Sequence, residues 1–485
     1  MIGTIQARFD TLFDATIHKL GVSKIWDSVD REVPASRPTL LRADALIAFS
    51  VALAGSLMSL WAFGQTNRVP ELHTMFNLWL HADAPRVAEN MVTTTGDHGR
   101  TSVHPLFSIL LYPFGTLLTT MGLGPLTAAK SLVVVVMGAN AALFSLTIRL
   151  LGLPRIVGAL FALLFIGTAS FMFWSGLVES FPFSCFAVVL SLFMMLRVRK
   201  SHWGWWVLLN VLTLGFLITN WVFALIAMAV RLKFKPFIAI ATASFSLVVV
   251  LAVAQDLTFE KAAIFFNPTT LTRETHYFQP AMEAQGTYDA GWQPLTNIRS
   301  MYVTTVVAMP VEVQQQTLMR LATTNQNTGL PEGEISPLLA ITAWVLLLGL
   351  GIWGATRRRD LHLPLIGAAL MLFAQTGLHI IYGEVTFLYS LSFMPLIILF
   401  ACMAWFTPRR QLALGLVAAV IVFGAVNNQR RFQELVNVAD CLSGLESVQD
   451  LQTWDVIKNE PEREHVLEPD MRIDTQNLCR VTAST

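Results

Sequence analysis

The sequence predicts an all-α integral membrane protein of about eleven transmembrane helices, with an external loop whose apolar helix lies along the membrane. Three observations carry this expectation. Hydrophobic residues make up 54% of the 485 and charged ones only 13%, with a mean hydropathy of +0.56; soluble domains carry about 25% charged residues. Apolar runs of spanning length recur along the chain, separated by short basic clusters. One polar island, His81 to Leu106, stands between the first run and all the others.

The elements follow in order. Residues 1–40 are polar, and Lys19, Lys24, Arg31 and Arg37 precede the first span, so the positive-inside rule makes this segment cytoplasmic. It has no apolar core ending in a small-residue cleavage site, so it is not read as a removable signal peptide. Residues 41–427 form the multi-span domain, opening with Ala45–Phe63, a run able to cross about 30 Å of hydrocarbon. Its external loops are 64–128 and 255–335. The run Leu106–Gly122 decides the topology. If it crosses, the basic clusters around Arg149, Arg197, Arg231, Arg357 and Arg409 mostly face outward. If it lies in the interface, they all fall inside. Pro113 also weakens a straight spanning helix there, so an in-plane or re-entrant helix is expected.

Spans follow at 129–149, 156–176 and 182–198. Trp203–Val230 is too short for two full spans and is broken near Thr219-Asn220, which predicts two short tilted helices meeting at Asn220. Spans at 236–254, 337–355, 362–382, 386–406 and 411–427 complete the domain, and 428–485 is an external tail. Cys185 and Cys402 lie in apolar runs, where a buried thiol is ordinary. Cys441 and Cys479 share the tail, and an oxidising outer compartment predicts a disulfide between them. No CxxC or HxxH spacing points to a structural metal, and a net charge of +1 leaves no basic surface for nucleic acid.

Within the polar island, Asp83 precedes Ala-Pro-Arg86-Val87-Ala-Glu-Asn90-Met91. On a helix Asp83, Arg86 or Val87, and Asn90 share a face; Pro85 suits the first turn and Asp83 the cap. Two readings stay open: a capped interfacial helix, or a carboxylate general base just outside the membrane aligned by an arginine. Asp97, His98 and Arg100 form a second polar cluster. Arg100, His104 and Lys130 are candidates to surround a phosphate, or are simply solvated. Gly124–Ser131 only faintly echoes a phosphate-binding loop; it lacks the glycine before Lys130 and is rejected.

The pattern D-x-x-R-V-A-x-x-M at Asp83–Met91, with His104-Pro105-Leu106 opening an apolar helix, resembles the first external loop of the GT-C superfamily of polyprenyl-phosphate-sugar-dependent glycosyltransferases, the protein O-mannosyltransferases and the aminoarabinose transferase of lipid A among them. The resemblance implies a GT-C-like fold with an in-plane loop helix and makes Asp83 the catalytic base. It departs from the family at Ala84, where a second acid often stands. The single Pro105 replaces a pair, and the late Arg-Tyr-x-x-Pro element finds only Gly383-Glu384 with Tyr389 and Pro395. Glu179, at the outer end of a span, occupies a position where these families often have an acid near the acceptor, or else snorkels to water. Glu384 invites the same two readings. Arg273 and His276, in the long outer segment, suit a sugar or headgroup site as well as an ordinary exposed loop.

Together these imply a glycosyltransferase of the bacterial inner membrane moving a sugar from a polyprenyl-phosphate donor to a glycan, lipid or protein acceptor hydroxyl at the outer face. No cofactor is required, and a divalent metal is compatible but not demanded. The alternatives are a transporter or flippase of lipid-linked sugars, for which the expected paired repeats are absent, and an O-antigen polymerase or ligase. The topology is testable. A membrane-impermeant thiol reagent added from outside should label both Gly99→Cys and Gly124→Cys; labelling of the first alone would mean that Leu106–Gly122 crosses.

Overall fold

The computed structural model describes residues 40–197, 203–268, 272, 277–278, 294–317, 320–326, 328–330, 333–383 and 385–459. The predicted site residues Arg273, His276 and Glu384, and the tail cysteine Cys479, lie outside the described residues.

The chain is almost wholly helical: α1 Arg42–Thr66, α2 Ala84–Val92, α3 Phe107–Thr120, α4 Pro125–Leu150, α5 Arg155–Gly167, α6 Ala169–Ser175, α7 Phe181–Arg197, α8 Trp203–Phe216, α9 Trp221–Arg231, α10 Phe234–Thr258, α11 Pro294–Arg299, α12 Ile335–Arg357, α13 His362–Ile381, α14 Ser390–Cys402, α15 Arg410–Ala419 and α16 Ala425–Asn459. A short antiparallel hairpin, β1 Glu312–Thr317 with β2 Arg320–Thr324, interrupts them between α11 and α12. Among the described residues seven helical stretches are long and apolar enough to cross a membrane, and α5–α6, bent by 59°, is an eighth if taken as one span. The helices Phe107–Thr120, Phe181–Arg197, Trp203–Phe216 and Ile218–Arg231 are apolar but shorter.

The antiparallel pair α1 and α4 frames the polar island. At one end Asp44 of α1, buried, receives Arg149 of α4 at 3.0 Å and Arg155 of α5 at 2.9 Å. At the other end the Lys130 Nζ of α4 donates to Asn67 Oδ1, just past α1, at 2.6 Å. The intervening segment 67–124, with α2 and α3, therefore starts and finishes at the same end of the pair. The helices approach closely because Gly55 and Gly138 face each other's backbones; a Cβ on Gly138 would collide with Ser56 and the Ala52 carbonyl.

Two helix breaks build the site end of the molecule. At Thr168 the hydroxyl caps α6 by accepting the Phe171 N–H (3.2 Å), while the Ala169 and Ser170 amides donate to the carbonyls of Val306 and Thr305 (3.1 and 2.9 Å). At the end of α8 the Gly215 carbonyl accepts the Leu106 N–H (2.9 Å) and the Phe216 carbonyl accepts His104 Nδ1–H (2.6 Å). Backbone groups released by a break must find partners where water is excluded; residues 305–306 supply them at the first break and the polar island at the second. The expected division of 203–230 into two short helices near Asn220 is what the chain adopts.

The tail boundary expected after 427 falls inside a helix: α16 runs unbroken from 425 to 459. Phe432, Leu435, Val436, Ala439 and Leu442 are buried along it at helical spacing. Phe432 packs on Trp61, Trp79 and Phe173, with ring centroids 5.1–5.5 Å away. Cys185 and Cys402 are buried free thiols, whereas Cys441 of α16 is disulfide-bonded.

Asn428 at the start of α16 ties three segments together. Its Oδ1 accepts the Ala308 N–H (2.8 Å), and its Nδ2 donates to the carbonyls of Gly167 (2.9 Å) and Val306 (2.8 Å). Asn428→Ala should therefore destabilise the protein by on the order of 2–4 kcal/mol, because buried backbone groups lose their partners. Thermal unfolding in detergent, compared with the exposed control Asn437→Ala, measures it; equal midpoints for the two variants would refute the role.

Candidate functional site

The polar island folds as a turn, a short helix and a second turn. In Asn77–Ala82 the Asn77 N–H donates to the Ala82 carbonyl (3.0 Å), and Asn77, Leu80 and His81 take φ of +68°, +49° and +65°. Left-handed backbone disfavours L side chains, Leu80 most of these three. α2 then starts at Ala84 with Pro85 in its first turn, as expected. Asp83 stands at the cap position, but its side chain makes no cap bond. Its carboxylate turns instead to Arg86, with which it forms an ion pair. The Val87–Met91 side of α2 is buried, and the helix rests on α3 at Gly115, where any Cβ would strike the Met91 carbonyl.

This arrangement sets Asp83, one-third exposed, at the edge of a cavity of about 820 Å³ counted with the solvent that enters it. Asp83, Arg86, Arg100, His104, Glu179 and Tyr389, all singled out from the sequence, line it. Sequence reasoning missed Thr219, His379 and Tyr382 on the same wall. His379 did carry a signal, as an ionisable residue in an apolar run. It is buried, stacked on Tyr389 with ring centroids 4.6 Å apart, and 2.9 Å from Gln375 Oε1 through Nε2.

Glu179 reaches the cavity from the turn between α6 and α7. It is buried at 3% exposure, its Oε1 accepts the Asp83 N–H at 2.9 Å, and its Oε2 accepts the Ser180 hydroxyl at 3.1 Å. Burial, with the neighbouring Asp83 charge, pushes its pKa up to about 7. Arg86 lies between two acids, paired with Asp83 and 3.6 Å from Asp97. The Arg100 guanidinium stands 5.5 Å from the centre of the Tyr277 ring.

Four predicted residues take other places or roles. Lys130 does not line the cavity: it sits at the start of α4, bonded to Asn67 and over the Phe63 ring at 5.7 Å. His104 lines the cavity, but burial brings its pKa down to about 4, so it is neutral. Its Nδ1–H is given to the Phe216 carbonyl, which leaves Nε2 as an acceptor, not a donor to phosphate. His98 is fully buried behind α2, its Nδ1 2.8 Å from Ser108 Oγ and its ring packed on Phe259. Asp97 accepts the Gly99 N–H (2.9 Å) and touches the site only through Arg86. The arginines lining the cavity among the described residues are Arg86 and Arg100. Nor do these residues hold any cluster of three or more His, Cys, Asp or Glu placed for a metal ion.

No protein-family model matches the chain, and no curated protein or solved structure shows significant similarity to it.

The Glu179 site has a pH signature. A carboxyl whose folded pKa is raised from about 4.5 to about 7 favours the fold while protonated, below its unfolded value. That contribution, roughly 3 kcal/mol at most, is lost as pH rises through about 7. Wild-type thermal stability should decline relative to Glu179→Gln between about pH 4.5 and pH 7, the window set by the two pKa values, and level off above it. Parallel curves for the two proteins would contradict the assignment.

Proposed function

We propose that the chain is a membrane glycosyltransferase of the GT-C type, using a sugar carried on a polyprenyl phosphate. The observation that carries this reading is the meeting of Asp83, Arg86 and Arg100 of one loop with Glu179 and Tyr389 at a single cavity. Tyr382 and Tyr389 offer ring faces to the sugar, and Phe107, Phe181 and Leu388 offer apolar contact to a lipid tail.

In this reading the Asp83 carboxylate takes the proton of the acceptor hydroxyl as that oxygen bonds to the anomeric carbon from the face opposite the phosphate. The bond from the anomeric carbon to the phosphate oxygen breaks, the configuration inverts, and polyprenyl phosphate departs with the electron pair. Arg100, with Arg86, stabilises the charge that grows on it. A phosphate leaves without protonation, so one base suffices, unlike the acid pair of glycosidases. Arg86 holds Asp83 in place, and Glu179 holds its backbone.

The membrane arrangement supports the same reading. In this reading the seven long helices and the bent pair α5–α6 taken as one span are joined by the shorter apolar helices α7, α8 and Ile218–Arg231 as further crossings, which would make eleven. α3 is left out because its segment starts and finishes at one end of α1 and α4. Arg149, Arg155 and Arg358 gather at the opposite end, where Arg358 also bonds the Leu151 carbonyl at 2.9 Å. The positive-inside rule makes that end cytoplasmic and the cavity external, in the periplasm of a bacterial inner membrane. A disulfide at Cys441 suits an outer location for the tail.

Asp83→Asn should insert normally and lower transfer from radiolabelled polyprenyl-phosphate sugars in isolated membranes by ~10²–10⁴-fold. Retention of more than about half the activity would remove Asp83 from the role of base.

A further inference from the structure

The turn that presents Asp83 is held from far along the chain. Leu80 and His81, adjacent and both left-handed, lie three and two residues before Asp83. The Leu80 N–H donates to Thr323 Oγ1 at 3.0 Å, and the same Thr323 hydroxyl donates to the Leu78 carbonyl at 2.6 Å. One buried hydroxyl thus satisfies an amide and a carbonyl on either side of Trp79, using both its donor and its acceptor capacity.

Thr323 is itself fixed. It lies on β2 opposite Val313 of β1, which is buried. The chain leading into the hairpin is fastened at Ala308, whose N–H and carbonyl bond Asn428 and Asn427 of α16 (2.8 and 2.9 Å). The Trp79 ring is packed between Phe173 and Phe432, at 6.0 and 5.1 Å. No described residue of the hairpin lines the cavity, whereas His81 and Asp83 do.

We propose that Thr323 is a positioning residue: its hydroxyl clamps the Leu78–Leu80 turn in the left-handed conformation that sets Asp83 against Glu179. The outer hairpin then acts on the reaction without touching substrate. A strained backbone persists only where its surroundings over-determine it, and the clamp supplies that surplus. This deepens the transferase reading and rests on it for its kinetic consequence, though not for its structural one.

The test compares Thr323→Val, which keeps the shape and loses the hydroxyl, with Thr323→Ser, which keeps the hydroxyl. In full-length protein in native membranes, Thr323→Val should lower kcat by about 10–100-fold with the donor KM changed less than about twofold, while Thr323→Ser transfers like wild type. In purified protein, hydrogen exchange at the Leu80 amide should be faster in Thr323→Val and unchanged in Thr323→Ser. If Thr323→Val does not insert, Thr323→Ala replaces it in both comparisons. Wild-type kcat in the hydroxyl-less variant, an equal defect in Thr323→Ser, or unaltered exchange would each overturn the clamp. Failure of wild type to transfer any sugar would overturn the transferase reading alone, because exchange at Leu80 still decides the clamp.

Discussion

The hydrogen bond from the Asp83 amide to the Glu179 carboxylate joins groups 96 residues apart, and the site depends on it. It fastens the polar island to the end of the helical bundle at the residue whose side chain faces the cavity. Asp83 sits at the start of α2 and could have capped it; its carboxylate is free for Arg86 because the cap is left unmade. Holding the backbone from Glu179 and the side chain from Arg86 fixes one carboxylate by two independent contacts. Preorganisation of this kind is what a proton transfer to a positioned base requires.

Charge is distributed around that bond with little excess. Arg86 is shared by Asp83 and Asp97. His104 is neutral and spends its one N–H on a backbone carbonyl. Glu179 is buried beside a second acid, which favours its protonated form near neutral pH. Arg100 lines the cavity with its guanidinium over the Tyr277 ring.

The helix breaks tie this chemistry to the bundle. A continuous α8–α9 helix would leave no Gly215 and Phe216 carbonyls for Leu106 and His104, and a continuous α5–α6 helix would leave no amides for Val306 and Thr305. In both places a segment distant in sequence completes backbone hydrogen bonding that the helix gives up. The loops are therefore parts of the bundle's own hydrogen-bond ladder, and the broken helices gain definite bends at the end where the cavity lies.

The sequence by itself determined the membrane class, the apolar runs, the break near Asn220, and the grouping of Asp83, Arg86 and Asn90 on one face of α2. Each of these follows from properties local to the chain: apolarity over about 20 residues, helical spacing, and the placing of proline and charge. Glu179 was legible for the same reason, as a lone acid at the end of an apolar run. Only the tertiary structure decided which of these residues meet. It carried His379 and Tyr382 to the same cavity, drew Lys130 away to Asn67, and turned His104 from an anion donor into a neutral acceptor. It also made Leu80 left-handed, against its own preference, through a threonine 243 residues away. Burial and long-range hydrogen bonds set these outcomes, and neither can be read from a residue's immediate neighbours in sequence.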